Sequence, residues 1–332
     1  MVTSQESRGN PLTTLLLTHP HCVLHEVPEG HPERPDRARM IAKVFEHEHF
    51  LDLAREDAPP GNPEHIRLAH PGDYYELIEG QLPEEAMVPV DADTWLSPMS
   101  LDVALLGVGA ATRAVDAVVQ RECENAFIGM RPPGHHAESK RPMGFCLFNN
   151  AAIAAHYARE TYGIDRVAVV DFDVHHGNGT QDIFWSDADL FYGSTHQMPL
   201  FPGSGDRTEV GQGNIFNAPL KAGDGSEAFR DAMRTIILPA LHDFEPELLI
   251  ISAGFDAHKN DPLGSLELDE RDFAWATLAL MDAAHKHADG RIVSFLEGGY
   301  DLRALAASTA VHVQALMKGS EQAVRDEDDE AW

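Results

Sequence analysis

Six short apolar runs rich in β-branched residues punctuate the chain, at 15–17, 126–128, 167–170, 190–192, 248–251 and 292–296. Between most of them lie segments with helical patterning, at 100–120, 149–162, 226–244 and 269–287. A run apolar throughout fits a strand covered on both faces, and parallel neighbours need a long crossover between them, usually a helix. The alternation therefore predicts βαβ units: an α/β fold with a central parallel β-sheet and helices on both faces. Asp301 is placed to cap a closing helix that runs to Met317. No linker, internal repeat or break in composition divides the chain, so one catalytic domain is expected over 1–318, followed by an acidic tail, 319–332, that frays into solvent.

Bulk properties remove several function classes. The formal charge is −29, with six lysines against 54 acidic residues, which argues against nucleic acid, since phosphate binding needs clustered Lys and Arg. The acidity has two readings: a hydrated, self-repelling surface, or a negative potential that draws cationic substrates. No apolar stretch nears the roughly 18 to 20 residues of a membrane span, and the first residues carry no secretory pattern. Three cysteines (Cys22, Cys123, Cys146) make no disulfide framework and suit a reducing compartment, so the cytoplasm is expected. A homo-oligomer remains open.

The chemistry gathers where apolar runs end. After 167–170 comes Asp171-Phe-Asp-Val-His-His-Gly-Asn-Gly-Thr180, so two carboxylates and two imidazoles emerge from a strand into its loop, the edge where open α/β sheets bind ligands. Asp173 and His175, at i and i+2, project to one side of an extended backbone and can grip one divalent metal. Asp256, after the run at 248–251, ends its strand in the same way and supplies a third ligand. Arg131-Pro-Pro-Gly-His-His presents His135 and His136 side by side from a stiff turn. Two carboxylates largely neutralise a bound Zn²⁺ and leave its water weakly acidified, so a nearby imidazole is needed to take the proton. Tyr300, after Glu297-Gly-Gly, can offer its hydroxyl to a carbonyl oxygen. Phe145 and Phe201 lie in apolar loops, where core packing and tunnel wall are competing assignments.

Taken together, Arg131-Pro-Pro-Gly-His-His, Gly144-Phe-Cys-Leu-Phe-Asn-Asn150, 171–181, Gly254-Phe-Asp and Glu297-Gly-Gly-Tyr300 closely resemble the histone deacetylase superfamily, from about His19 to Met317. Asn178 points to the class II branch and its bacterial amidohydrolase relatives, because class I members carry Asp there. The resemblance implies an arginase/deacetylase-like fold and metal-dependent hydrolysis of an acylated amine. It implies Asp173, His175 and Asp256 as ligands of one catalytic Zn²⁺, with Fe²⁺ as the alternative ion. His136 becomes the general base and acid, held by Asn178, with His135, oriented by Asp171, as its electrostatic partner. Tyr300 polarises the acyl carbonyl; catalytically impaired members that act as readers lose such residues, and none is lost here. Phe145 and Phe201 would sandwich the substrate's aliphatic arm, with Gly144 and Leu263 beside them. Asp93 matches a rim carboxylate that holds a peptide's backbone N–H groups, and Arg37 the inner end, where acetate leaves. A structural K⁺ is implied, held by Asp171, Asp173, His175, Ser194 and Thr195.

Arginase-like relatives with two manganese ions need further carboxylates at the positions of Gly177 and His258, so one metal is expected. Substrates of the superfamily include acetyl-lysine peptides, acetylpolyamines and small amides. Leu263 stands where eukaryotic polyamine-selective members place a Glu, and 70–98 lacks the insertion that narrows the mouth of bacterial polyamine enzymes. An acetyl-lysine-type deacetylase is therefore expected, with an acetylpolyamine or small-amide amidohydrolase as the alternative.

Overall fold

The computed structural model describes residues 13–319; the charged run at 325–330 lies outside them. In chain order the strands are β1 (Thr14–Thr18), β2 (Ala54–Asp57), β3 (Val88–Pro89), β4 (Trp95–Leu96), β5 (Asn125–Ile128), β6 (Val167–Asp171), β7 (Leu190–Gln197), β8 (Ile215–Leu220), β9 (Leu248–Ala253) and β10 (Ile292–Leu296). β3 and β4 pair antiparallel with each other. The other eight form one parallel sheet in the order β2-β1-β5-β10-β9-β6-β7-β8.

All six expected runs are strands. β2 and β8 were not expected, and both are edge strands. The sequence of β2, Ala-Arg-Glu-Asp, is polar and largely exposed, and β8 contains Pro219, which an edge tolerates because one side needs no donor.

Each inner strand sends alternate side chains to opposite cores, as the pleat requires. Leu15, Ala126, Val167, Ile250 and Val293 face one core, while Leu16, Phe127, Ala168, Ile251 and Ile292 face the other. The helices are α1 (Pro35–Val44), α2 (Pro63–Ile66), α3 (Tyr74–Glu79), α4 (Ser100–Val119), α5 (Asn150–Tyr162), α6 (Asn178–Phe184), α7 (Ser226–Ala232), α8 (Leu238–Phe244), α9 (Glu270–His287) and α10 (Leu302–Lys318). α4 and α5 cover the first face; α1, α9 and α10 cover the second. Asp301 caps α10 by accepting from the Arg303 and Ala304 amides, as expected. The expected helix over 226–244 is interrupted by a π-turn at Met233–Ile237, just before Pro239. Pro239 lacks the N–H that an unbroken helix would use, and the wide turn leaves that position without a lost bond.

The chain builds outward from β1 to β2, then from β6 to β8, and only afterwards inserts β9 and β10 between β5 and β6. The carboxyl ends of β5, β10, β9 and β6 therefore meet where the winding reverses, the position at which such sheets form a crevice.

Candidate active site and metal centre

Loops leaving those four strands converge. Asp173, His175 and Asp256 are buried, and one ligand atom of each lies within 4.8 Å of the others, the single such group of three or more among the described residues. His175 Nδ1 is 3.1 Å from both Asp173 Oδ1 and Asp256 Oδ2. The remaining oxygens are fixed by backbone donors: Gly298 N to Asp173 Oδ2 at 2.8 Å and Val174 N to Asp256 Oδ1 at 2.8 Å. Burial works against a charged His175, yet the two carboxylates hold its pKa up at about 10. Two carboxylates and an imidazole thus face one another away from solvent, and the N/O donor set suits Zn²⁺ or Fe²⁺. Glycines make the room: a Cβ on Gly254 would meet Asp173 Oδ2 at 2.0 Å, and one on Gly298 would meet Asp256 Oδ2 at 2.0 Å.

The would-be second metal position is closed. A Cβ on Gly177 would come within 2.4 Å of Asp171 Oδ2 and 2.6 Å of the Tyr192 hydroxyl. His258 is buried, with Nε2 3.4 Å from Glu270 Oε1 and Nδ1 accepting from the Asn260 amide.

The tandem histidines stand beside the cluster, their ring centroids 4.0 Å apart, with the His136 ring 5.9 Å from that of His175. Their environments differ. His135 Nδ1 is 3.0 Å from Asp171 Oδ2 and its Nε2 is 3.8 Å from Asp173 Oδ2. Burial disfavours its charge, but Asp173 and Asp171 outweigh this and hold its pKa well above the ordinary imidazole range. His136 Nδ1 faces the Asn178 side-chain oxygen at 2.8 Å; burial, then the neighbouring His135 and His175, push its pKa well down. The surroundings favour charge on one imidazole and neutrality on its neighbour, the pattern of a divided acid–base pair. Asn178 is itself oriented, donating from Nδ2 to Glu138 Oε1 at 2.8 Å.

Tyr300 is buried, with the Arg37 guanidinium 5.0 Å from its ring centroid. Burial raises the phenol's pKa well above 10, so it stays a proton donor, although Arg37 opposes the rise. Asp261 Oδ2 accepts from the Tyr300 and Asp301 amides, and its Oδ1 accepts from the Leu263 amide at 3.0 Å, so one carboxylate sets both Tyr300 and the half-buried Leu263. Phe145 packs edge-on to Tyr300 at 5.8 Å, and Phe201, 41% exposed, lies 5.1 Å from the His136 ring. That exposure favours tunnel wall over core for Phe201. Gly144 has φ +57°, and a Cβ there would reach 2.4 Å from His136 Cδ2. Asp93 is half-buried rather than wholly at the rim, and its Oδ1 accepts from the Gly144 amide at 3.1 Å. The implied K⁺ residues also lie together: Asp171 pairs with Ser194 across β6 and β7, and the neighbouring Thr195 Oγ1 is buried without a hydrogen-bond partner among the described residues.

Three supports escaped the sequence reading. Glu297 Oε2 accepts from the Gly134 and His135 amides at 2.7 and 3.1 Å, fixing the turn that carries the histidines; burial lifts its pKa to about 7, against the pull of His135. Glu33 binds Arg131 through both oxygens, at 2.7 and 2.6 Å, and Arg37 at 3.1 Å. Tyr192 donates to Asp171 Oδ2 at 3.1 Å. Glu297 begins the Glu297-Gly-Gly-Tyr300 motif, the one signal that pointed to it. Tyr192 carried none.

A model of the histone deacetylase domain matches residues 31–316. The chain is 38% identical to a histone deacetylase-like amidohydrolase of Pseudomonas aeruginosa, covering 90% of this chain and 79% of that protein. It is 37% identical to a probable deacetylase of Archaeoglobus fulgidus (93% and 87%) and 37% identical to histone deacetylase 10, chloroplastic, of Oryza sativa (90% and 72%). The crystal structure of the HDA15 HD domain superposes with a TM-score of 0.87 at 32% identity, covering 95% of this chain and 92% of that one.

Proposed function

This chain belongs to the histone deacetylase family of deacetylases and amidohydrolases, and from that premise we propose that it is a zinc-dependent deacetylase cleaving acetyl-lysine-type amides to free amine and acetate. The observation that carries the reading is the His136 ring, held by the Asn178 side-chain oxygen beside the buried Asp173–His175–Asp256 cluster. Those three residues would hold one Zn²⁺, or Fe²⁺, which when bound supplies Lewis-acid polarisation of the acyl carbonyl and a more acidic water.

The remaining work falls to the chain. Asn178 accepts from His136 Nδ1, so Nε2 carries the lone pair and can take a proton from water, then return it to the leaving nitrogen. His135, held charged by Asp173 and Asp171, places a positive charge beside developing negative charge and keeps His136 from protonating early. The Tyr300 hydroxyl donates to the carbonyl oxygen as it gains charge. Phe145 and Phe201 enclose the aliphatic arm with Gly144 and Leu263 beside it, Asp93 steadies the Gly144–Phe145 turn and the substrate backbone at the mouth, and Arg37 receives acetate at the inner end. The juxtaposition of Asp171, Ser194 and the unpartnered Thr195 hydroxyl supports a structural K⁺ beneath the site, with the Asp173 and His175 backbone completing it. The single catalytic domain is assigned to 1–318.

The test compares turnover of an acetyl-lysine peptide with that of N-acetylputrescine by the metal-loaded protein. Preference for the peptide supports this reading; preference for the diamine overturns it in favour of a polyamine amidohydrolase. Hydrolysis of neither removes both.

A further inference from the structure

The segment around Phe201 is a surface loop with an interior anchor. Phe201, Gly203, Asp206, Arg207 and Thr208 are exposed, yet Gly205 between them is buried. Both backbone polar groups of Gly205 are bound: its amide donates to Glu209 Oε2 at 3.0 Å, and its carbonyl accepts from His196 Nε2 at 3.0 Å. Its φ is +95°, and a Cβ would come within 2.4 Å of His196 Nε2 and 2.8 Å of His176 Cδ2. Only glycine passes there.

A chain of side chains ties this anchor to the turn that carries His175. Gln181 Nε2 donates to Glu209 Oε2 at 2.6 Å, which leaves Gln181 Oε1 to accept from His176 Nε2 at 3.0 Å and from Asn217 Nδ2 at 2.7 Å. His176 Nδ1 is then an acceptor, and the Ser204 hydroxyl donates to it at 2.8 Å. The order of donors is consistent from Ser204 to Glu209, where the carboxylate also takes the Asp206 amide at 3.2 Å. His176, Gln181, His196 and Asn217 are all buried, and none has a part in the hydrolysis described above. Burying so many polar groups costs stability unless they are partnered; apart from the Asn217 side-chain oxygen, the network atoms named here have their partners, and a network so connected fixes one geometry in return. What it fixes is the loop that sets the Phe201 ring 5.1 Å from His136.

We propose that Glu209, acting through Gln181, His176 and Gly205, is a specificity-determining positioning residue that holds Phe201 over His136 and keeps the channel for the substrate's arm narrow. The proposal rests on the reading of Phe201 as a channel wall.

The experiment is a double-mutant cycle between Phe201→Ala and Glu209→Ala in the metal-loaded protein. It uses an acetyl-lysine peptide and 4-nitrophenyl acetate, an activated ester without an aliphatic arm. Glu209→Ala is expected to lower kcat/KM for the peptide about tenfold, mainly through KM, because a displaced wall weakens arm binding more than chemistry. Catalytic metal content and ester turnover should stay unchanged. Within the Phe201→Ala background, Glu209→Ala should add nothing. Additive losses, or an equal loss on the armless ester, overturn the positioning role while leaving the channel intact. A harmless Phe201→Ala overturns the channel reading and this proposal with it. Should Glu209→Ala not fold, Glu209→Gln, which keeps one acceptor oxygen, is expected to give a smaller KM effect and the same non-additivity; its absence overturns the proposal.

Discussion

The Nδ1 of His136 lies 2.8 Å from the side-chain oxygen of Asn178, so the neutral ring must donate from Nδ1 and keep Nε2 as its acceptor. A neutral partner fixes the tautomer, and its hydrogen bond raises the ring's pKa by less than burial and the neighbouring His135 and His175 lower it. A carboxylate in its place would add a full negative charge. In Asn178→Asp the added negative charge raises the His136 pKa, and since the base works unprotonated, the acidic limb of the kcat/KM profile should move to higher pH. Asn178→Leu should lower kcat by at least about 100-fold, the lower range of general acid–base contributions. An unshifted acidic limb in Asn178→Asp would show that another group titrates there.

Tyr300 stays a phenol across the working range because burial raises its pKa well above 10. Tyr300→Phe should cost roughly 100- to 1,000-fold in kcat with a smaller change in KM, the usual cost of losing one oxyanion donor. Turnover close to wild type on an acetyl-lysine peptide would remove Tyr300 from this role.

One catalytic ion per chain is expected, because Asp173, His175 and Asp256 form the single such cluster among the described residues and Gly177 has no room for a side chain. Chelation should abolish turnover, and titration of the apoprotein with Zn²⁺ should restore it at one equivalent. Asp173→Ala should lose both metal and activity, whereas Gly177→Asp should unfold at lower temperature rather than gain a second ion. Two adjacent transition-metal ions in an anomalous diffraction map would falsify the mononuclear assignment.

Stability should fall in mild acid. Burial drives the pKa of His312 from 6.5 to about 3 and that of His70 to about 4, so at these two rings the unfolded chain binds more protons than the folded one below pH 6.5. Their contribution is complete above 6.5 and is lost as pH falls toward 4 and below, each pKa unit being worth about 1.4 kcal/mol. His312 is held by Thr277 and Ser294 at 2.6 and 2.8 Å, which leaves no room to solvate an added charge. Urea midpoints measured from pH 7 to 4 should decline less in His312→Gln than in the unchanged chain; an equal decline in both would mean that this ring is charged when folded.

The α/β class and six of the sheet's strands were legible in the sequence because inner parallel strands are apolar on both faces, as at 167–170 and 248–251. Asp173, His175 and Asp256 were legible because each directly follows such a strand, so local order alone predicts a shared rim. β2 and β8 were not, since edge strands need no continuous apolar pattern and β2 is charged.

What the sequence by itself determined, then, was the reaction class: ligand types, tandem histidines and their position after buried strands are local properties. The supports were decided only by tertiary structure. Glu297 reaches the His135 amide across 162 positions, Glu33 reaches Arg131 across 98, and Asp261 reaches the Tyr300 amide across 39. Apart from the motif that Glu297 begins, nothing local distinguishes these carboxylates from the many solvated ones in so acidic a chain. Their partners are brought to them by the late insertion of β9 and β10 into the sheet and by the packing of the loops above it, and a hydrogen bond exists only once both ends share a dry place.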